Sequence, residues 1–256
     1  MSTPPTWHTT PYPLITTPKF TTPAPHDPFT LAATDMALVH NVIIRGLNSI
    51  HHQAPYISSL PTAEKLTFIK YCLFWFGFLH AHHTSEEEVM FPKISAAVGV
   101  PEVMEVNVTQ HADFTPPLLE FKTYLDSLLA DPDTFDSNKL ISLIEAFAPT
   151  LTQHLHDEIP TLLNLRQHGD KIDILRISNE EGEHSMKSMS MTGETCWFMA
   201  NLDLTYEGGI HKDFPPAPGV IKWWIRSVAW KWNGVCWRWG SCSKDGNPKA
   251  LSIREL

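Results

Sequence analysis

From about residue 29 the apolar positions recur at helical spacing. Met36, Val39, Ile43, Leu47 and Ile50 lie three or four residues apart, which is the period of one face of an α-helix. His40 sits beside that stripe. Pro55 and Pro61 mark a connector, and Thr62 is a suitable N-cap for a second helix reaching about residue 97. Gly99 and Pro101 break the chain again. A third helix is predicted over 101 to about 129, with Pro116 and Pro117 expected to bend or interrupt it. A fourth runs from about 137 to 167 and stops at Gly169. Four helices with short connectors predict an all-α domain over residues 29–169, an up-down-up-down four-helix bundle.

The flanks break this period. Residues 1–28 carry Pro4, Pro5, Pro11, Pro13, Pro18, Pro23, Pro25 and Pro28, too dense for helix or central strand. They read as a disordered or extended Pro/Thr-rich arm that meets the body through Trp7, Tyr12 and Phe20. Residues 170–256 are rich in Gly and Pro and contain a tryptophan-rich stretch at 221–240. There, Asn233-Gly234 between alternating residues predicts a hairpin, with a short helix over 218–230 as the competing local reading. This irregular extension is expected to pack on the bundle and cap one end. Lys222, Arg226, Lys231 and Arg238 interleaved with Trp also suit a membrane interface, a less favoured reading. A third reading makes it a lid over a pocket walled by His184, Asp203, Tyr206, Glu207 and His211.

The chemistry concentrates in H-A-H-H-T-S-E-E-E-V-M-F-P at 80–92. Helical residues four apart share a face, so His82 with Glu86, or His83 with Glu87, forms a ligand pair. The two pairs are turned by about 100° from each other, and the apolar neighbours do not choose between them. An internal repeat does. His82 follows His40 by 42 positions and His154 follows His111 by 43, while Glu86 and Glu158 each follow their histidine by four. Six ligands thus converge on the bundle centre: His40, His82, Glu86, His111, His154 and Glu158. Two ions would share them. His80, His83, His156, Glu87 and Glu88 are left at the surface or just behind the ligands, with His83 and His156 the best placed for that supporting role. His51 and His52 read as a solvated helix end. Nitrogen and oxygen donors without thiolates suit iron, manganese or zinc.

Composition narrows the remaining classes. The net charge of −9 argues against a nucleic-acid surface. The four cysteines form no C-x-x-C pair. No secretory signal and no membrane-spanning apolar window is present, so a cytoplasmic protein is expected.

The segments M-A-L-V-H-N-V-I-I-R-G-L, H-H-T-S-E-E-E-V-M-F-P, Q-H-A-D-F and L-T-Q-H-L-H-D-E-I, within residues 34–167, resemble the hemerythrin-like (HHE cation-binding) family. The resemblance implies a non-haem di-iron centre on the six residues above, with manganese or zinc less favoured. It implies binding of, or reaction with, O2 or a related small oxidant. An oxidoreductase or monooxygenase acting on a small organic substrate is one form of this. An iron or oxygen sensor, or a store without turnover, is the alternative. Oxygen-carrying hemerythrins place two histidines four apart on the third helix, whereas Asn107 and Thr115 flank His111 here. This departure favours reaction over simple oxygen carriage.

Overall fold

The computed structural model describes residues 6–254. The chain is all-α: among the described residues there is no strand, and pairing is limited to one bridge between Cys242 and Pro248. The helices are α1 (Pro18–Thr21), α2 (Pro28–Ile57), α3 (Thr62–Ser85), a π-helical turn (Glu86–Met90), α4 (Phe91–Val98), α5 (Glu105–Ala130) and α6 (Ser137–Asn164). The extension adds α7 (Ile174–Ser188), α8 (Glu194–Asn201), α9 (Tyr206–Gly209) and α10 (Gly219–Ser227).

Thr62, expected as the N-cap of α3, is its first helical residue and Pro61 takes the cap position, whereas α2 and α6 start on aspartates. Asp27 caps α2 by accepting from the backbone N–H groups of Phe29 and Thr30, with Pro28 in the first turn. Asp136 does the same for α6 through Asn138 and Lys139. The prolines behave differently from the expectation. α2 runs through Pro55, α5 through Pro116 and Pro117, and α6 through Pro149 and Pro160. Pro55, Pro116, Pro149 and Pro160 are exposed and Pro117 half-buried, so the carbonyls deprived of a partner lie where water can reach them and the helices continue.

The four long helices close in a ring, α2 against α3, α3 against α5, α5 against α6 and α6 against α2. Its interior holds a wholly buried aromatic layer. Trp75 stacks on Phe147 at 5.7 Å and meets Phe121 edge-on at 5.6 Å, and its indole N–H donates to the Ile43 carbonyl.

The described part of the arm is fastened to α2 at three positions spaced by seven residues. The Thr34 hydroxyl accepts from Lys19 N–H, the Asn41 amide pairs with both backbone groups of Ile15, and the Asn48 amide pairs with both of Tyr12. The arm therefore runs antiparallel to α2. Trp7 is buried against it, Tyr12 is half-buried and Phe20 stays exposed. His51 and His52, expected at a solvated end, instead pack edge-on against Tyr12 and Trp7.

The extension lies against α2 and α3, with α7 also touching the π turn. Trp197 of α8 is fully buried against Tyr71 and Phe78. The expected hairpin is absent. Ile225 and Ala229, four apart, turn inward on α10 and the following turn, and Cys236, Trp237 and Trp239 are buried on a 3-10 turn. That helical spacing of inward residues overrides the Asn-Gly signal. Trp223 and Trp232 remain exposed. Of the residues offered as a lid wall, Asp203 and Tyr206 face Arg45, and Glu207 with His211 closes on Thr17. All four cysteines are buried thiols. Among the described residues no helix is long and apolar enough to cross a membrane.

A methyl group on Gly46 would overlap the Trp197 ring, which is held by buried neighbours and cannot yield. Gly46→Ala should therefore destabilise the protein by about 1–3 kcal/mol, the usual cost of overpacking, read as a lower urea midpoint. An unchanged midpoint would mean that α8 does not sit firmly on α2.

Candidate metal centre

Each helix of the ring contributes to one buried polar cluster. His40 comes from α2, and His82 and His83 from the last turn of α3. Glu86 follows from the first position of the π turn, His111 comes from α5, and His154 and Glu158 from α6. Two groups form. His40, His82 and Glu86 make one, and His83, Glu86, His111 and His154 the other. Glu86 belongs to both, with Oε1 at 3.2 Å from His82 Nε2 and Oε2 at 3.5 Å from His111 Nε2. Glu158 Oε2 also spans the groups, 3.3 Å from His40 Nε2 and 4.0 Å from His154 Nε2.

The outer nitrogens decide what the inner ones can do. His40 Nδ1 lies 2.8 Å from the Leu155 carbonyl, which can only accept, so Nδ1 carries the proton. His111 Nδ1 donates to Glu87 Oε1 at 2.8 Å. Gln110 donates its amide N–H to Asp157 and so turns its oxygen to His154 Nδ1 at 3.2 Å. Glu181 from α7 lies 3.9 Å from His82 Nδ1. With Nδ1 protonated, Nε2 presents a lone pair inward. His111 and His154 bring two such lone pairs to 3.0 Å, and His40 and His82 bring theirs to 3.2 Å. Two nitrogens sharing one ion at about 2.1 Å and roughly a right angle stand about 3.0 Å apart. His83 Nε2 and both oxygens of Glu86 and Glu158 are buried without a hydrogen-bond partner. A dry cavity lined by unpaired acceptors fits a cation, because a cation is what would satisfy them together.

Burial works against a charge on four of the imidazoles. Desolvation pushes His40 and His111 down from the usual histidine range, and His83 and His154 well below it. The two carboxylates diverge. Desolvation and the neighbouring Glu158 drive Glu86 well above the ordinary carboxylate range. Desolvation acts on Glu158 too, but the hydrogen bond and charge of His40 outweigh it and bring Glu158 down to about 2.

The structure brings the six residues of the internal repeat together, and it adds others. His83, expected behind the ligands, stands in the second group, so the two frames are not exclusive. Both His82 and His83 point inward, and Glu86 follows His82 by one turn. Glu87 sits outside, holding His111. His156 bonds to the Pro13 carbonyl, Glu88 faces His184, and His80 is exposed. Thr115 is exposed and its hydroxyl donates back to the His111 carbonyl, while Asn107 is buried with no partner for its amide. Gln110 and Glu181 were missed. Gln110 had a signal in standing next to His111, but Glu181 had none, since only folding carries α7 to His82.

In the metal-free protein the buried imidazoles resist protons that the unfolded chain accepts near pH 6.5. Unfolding then takes up protons, so stability is full above that pH and falls as the pH drops through it. The loss is about 1 kcal/mol per histidine for a one-unit drop. Glu86 acts oppositely, since its raised value makes the fold hold a proton that the unfolded chain releases. The urea midpoint of metal-free protein should fall from pH 7.5 to 5.5, and more steeply in Glu86→Gln. A flat profile, or a shallower one in the variant, would contradict these directions.

The comparisons agree with this geometry. The model of the hemerythrin HHE cation binding domain matches residues 32–165, the stretch that holds all seven converging residues. The "Dimeric xanthone biosynthesis cluster protein R11" of Cryptosporiopsis sp. (strain 8999) is 33% identical over 249 residues, covering 94% of this chain and 90% of that protein. No solved structure matches. A ring of four long helices enclosing a histidine and carboxylate cluster, matched by that domain and by a relative along nearly the whole chain, belongs to the hemerythrin HHE cation-binding family.

Proposed function

We propose that this protein is a non-haem di-iron protein, built on an up-down-up-down bundle, that reacts with O2 or a related small oxidant as an oxidoreductase on a small organic substrate. The observation that carries the reading is the pair of facing Nε2 sets, at 3.0 and 3.2 Å, spanned by two carboxylates with no other partner. His40 and His82 would hold one ion and His83, His111 and His154 the other, with Glu86 and Glu158 lying between the two groups. Bound iron would supply the redox chemistry, which side chains alone lack. The chain supplies geometry. Leu155, Glu87 and Gln110 orient three of the imidazoles and fix their tautomers, the role that outer hydrogen bonds play at metal centres, while Glu181 lies 3.9 Å from His82 Nδ1. Phe114, whose ring lies 5.1–5.7 Å from those of His83, His111 and His154, closes the floor against water.

His83 fits the place left by the missing third-helix histidine. It approaches His111 from the neighbouring helix, with ring centroids 4.4 Å apart. The second ion thereby keeps three nitrogen donors although position 115 is threonine.

The relative's name places that protein in a dimeric xanthone biosynthesis cluster. Similarity through the extension as well as the bundle supports an enzyme of secondary metabolism over a carrier of oxygen.

Purified protein loaded with ferrous iron should bind two ions per chain, show a di-iron oxo band on exposure to air, and consume O2 when given a reductant. His83→Ala should retain about one ion, and His80→Ala two, by metal analysis. Two ions retained in His83→Ala would remove His83 from the ligand set. Iron-loaded protein that consumes no O2 or peroxide with any donor would leave the sensor or store.

A further inference from the structure

A groove of about 520 Å³ opens between α4, the turn Pro101–Met104 and the start of α5. Its apolar wall includes Phe91, Pro101, Met104 and Val108, and Glu87 and Glu105 stand among them. The groove reaches the second histidine group through two contacts. Phe91 packs against His111 with ring centroids 5.6 Å apart, and Glu87 accepts from His111 Nδ1 at 2.8 Å. It is wide enough for a two- or three-ring molecule, since ligand pockets commonly span roughly 300–1,000 Å³.

The polar side chains of the wall select what can enter. Glu87, Glu102 and Glu105 are acceptors only at neutral pH, and the Ser95 hydroxyl already donates to the Pro101 carbonyl. No Lys, Arg or His lines the groove. An anionic ligand would meet three carboxylates without a counter-charge. Glu102 and Glu105 are exposed to water, where screening weakens their attraction for a cation and their repulsion of an anion alike, and an ion of either sign would have to shed hydration against the apolar wall. The apolar wall, by contrast, rewards burial of a flat ring.

We propose that this groove is the substrate site and that it takes a neutral aromatic molecule carrying a hydroxyl group, a phenol, whose O–H donates to the Glu87 carboxylate. The proposal rests on the di-iron reading above for its chemistry, but not for its binding. Glu87 holds His111 with Oε1 and is half exposed, so its second oxygen can take a hydrogen bond from the groove. The substrate hydroxyl then lies one carboxylate away from a metal-holding imidazole. Carboxylate, phosphate and nucleotide substrates are disfavoured on charge.

The test is equilibrium binding of 2-naphthol, 2-naphthoate and the ammonium form of 2-naphthylmethylamine to zinc-loaded protein, followed by probe fluorescence. Zinc is redox-silent, so binding is read apart from turnover. 2-Naphthol should bind at least tenfold more tightly than either ion. Val108→Trp, at a position 44% exposed, should weaken 2-naphthol at least tenfold while leaving metal content and thermal midpoint unchanged. Glu105→Arg, also on the surface, should gain affinity for 2-naphthoate and guards against a misfolded first variant. Naphthoate or the ammonium ion binding as well as naphthol, or Val108→Trp binding naphthol like the parent protein, would overturn the proposal. Two ions bound with no naphthol affinity would defeat the groove and spare the metal reading. Naphthol bound by protein that takes up no metal would do the reverse.

Discussion

Everything near the centre depends on where three imidazole protons sit. Hydrogen-bond acceptors outside the ring hold the imidazole protons on Nδ1, at Leu155 for His40, Glu87 for His111 and Gln110 for His154. The inner nitrogens are then lone pairs sharing a dry space with two carboxylates. No redistribution of those protons satisfies the inner groups without breaking the outer bonds. An unpaired buried charge costs several kcal/mol even after relaxation. Without a cation, burial and the neighbouring Glu158 favour the protonated form of Glu86, whereas the facing His40 favours the charged form of Glu158. A cation held between the two groups would satisfy these inner acceptors together.

That scaffold was largely readable from the sequence, for physical reasons. A 3.6-residue apolar period and the breaks at Pro61, Gly99 and Pro101 are local signals, and they located the four long helices. The repeat of His and His-x-x-x-Glu located six of the seven converging residues. The prolines misled because their effect depends on which side of the helix they occupy. Exposed Pro116 lets water replace a backbone partner, and periodicity around it does not reveal how well that works. Glu181 could not be found by any local rule, since it reaches His82 across 99 positions of chain.

The frame at His82 and His83 was obscured by a different cause. α3 is apolar nearly all round because past its first turn it has no broad solvent face, only an edge at Lys70 and His80. α2 and α5 cover one side, and α7, α8 and the Trp237–Trp239 turn cover the other. A helix sheltered on both sides gives no direction from its hydrophobic pattern. The same shelter allows two adjacent histidines to be buried together, which a helix with a solvent face would not permit. The π turn that follows belongs to this arrangement. It lets Glu86 follow His82 by one turn while Glu87 swings outward to His111. Turns of this kind recur at functional positions in helices.

The extension consequently shapes the centre even though the family match ends at residue 165. On the His82 side α7 lays a nearly buried carboxylate, Glu181, against the imidazole, and the Ser85 hydroxyl donates to the Glu181 carbonyl. On the His111 side the corresponding carboxylate, Glu87, is half exposed and borders a groove. The group of His40 and His82 is thus covered by protein, while the group around His111 borders the outside through Glu87, a carboxylate that can be hydrogen-bonded from either side. A molecule engaging Glu87 competes for the same electron density that orients His111. Through that one carboxylate, occupation of the groove and the donor strength of an inner nitrogen become linked. An added module can in this way turn a symmetric repeat into a centre with a closed side and a working side.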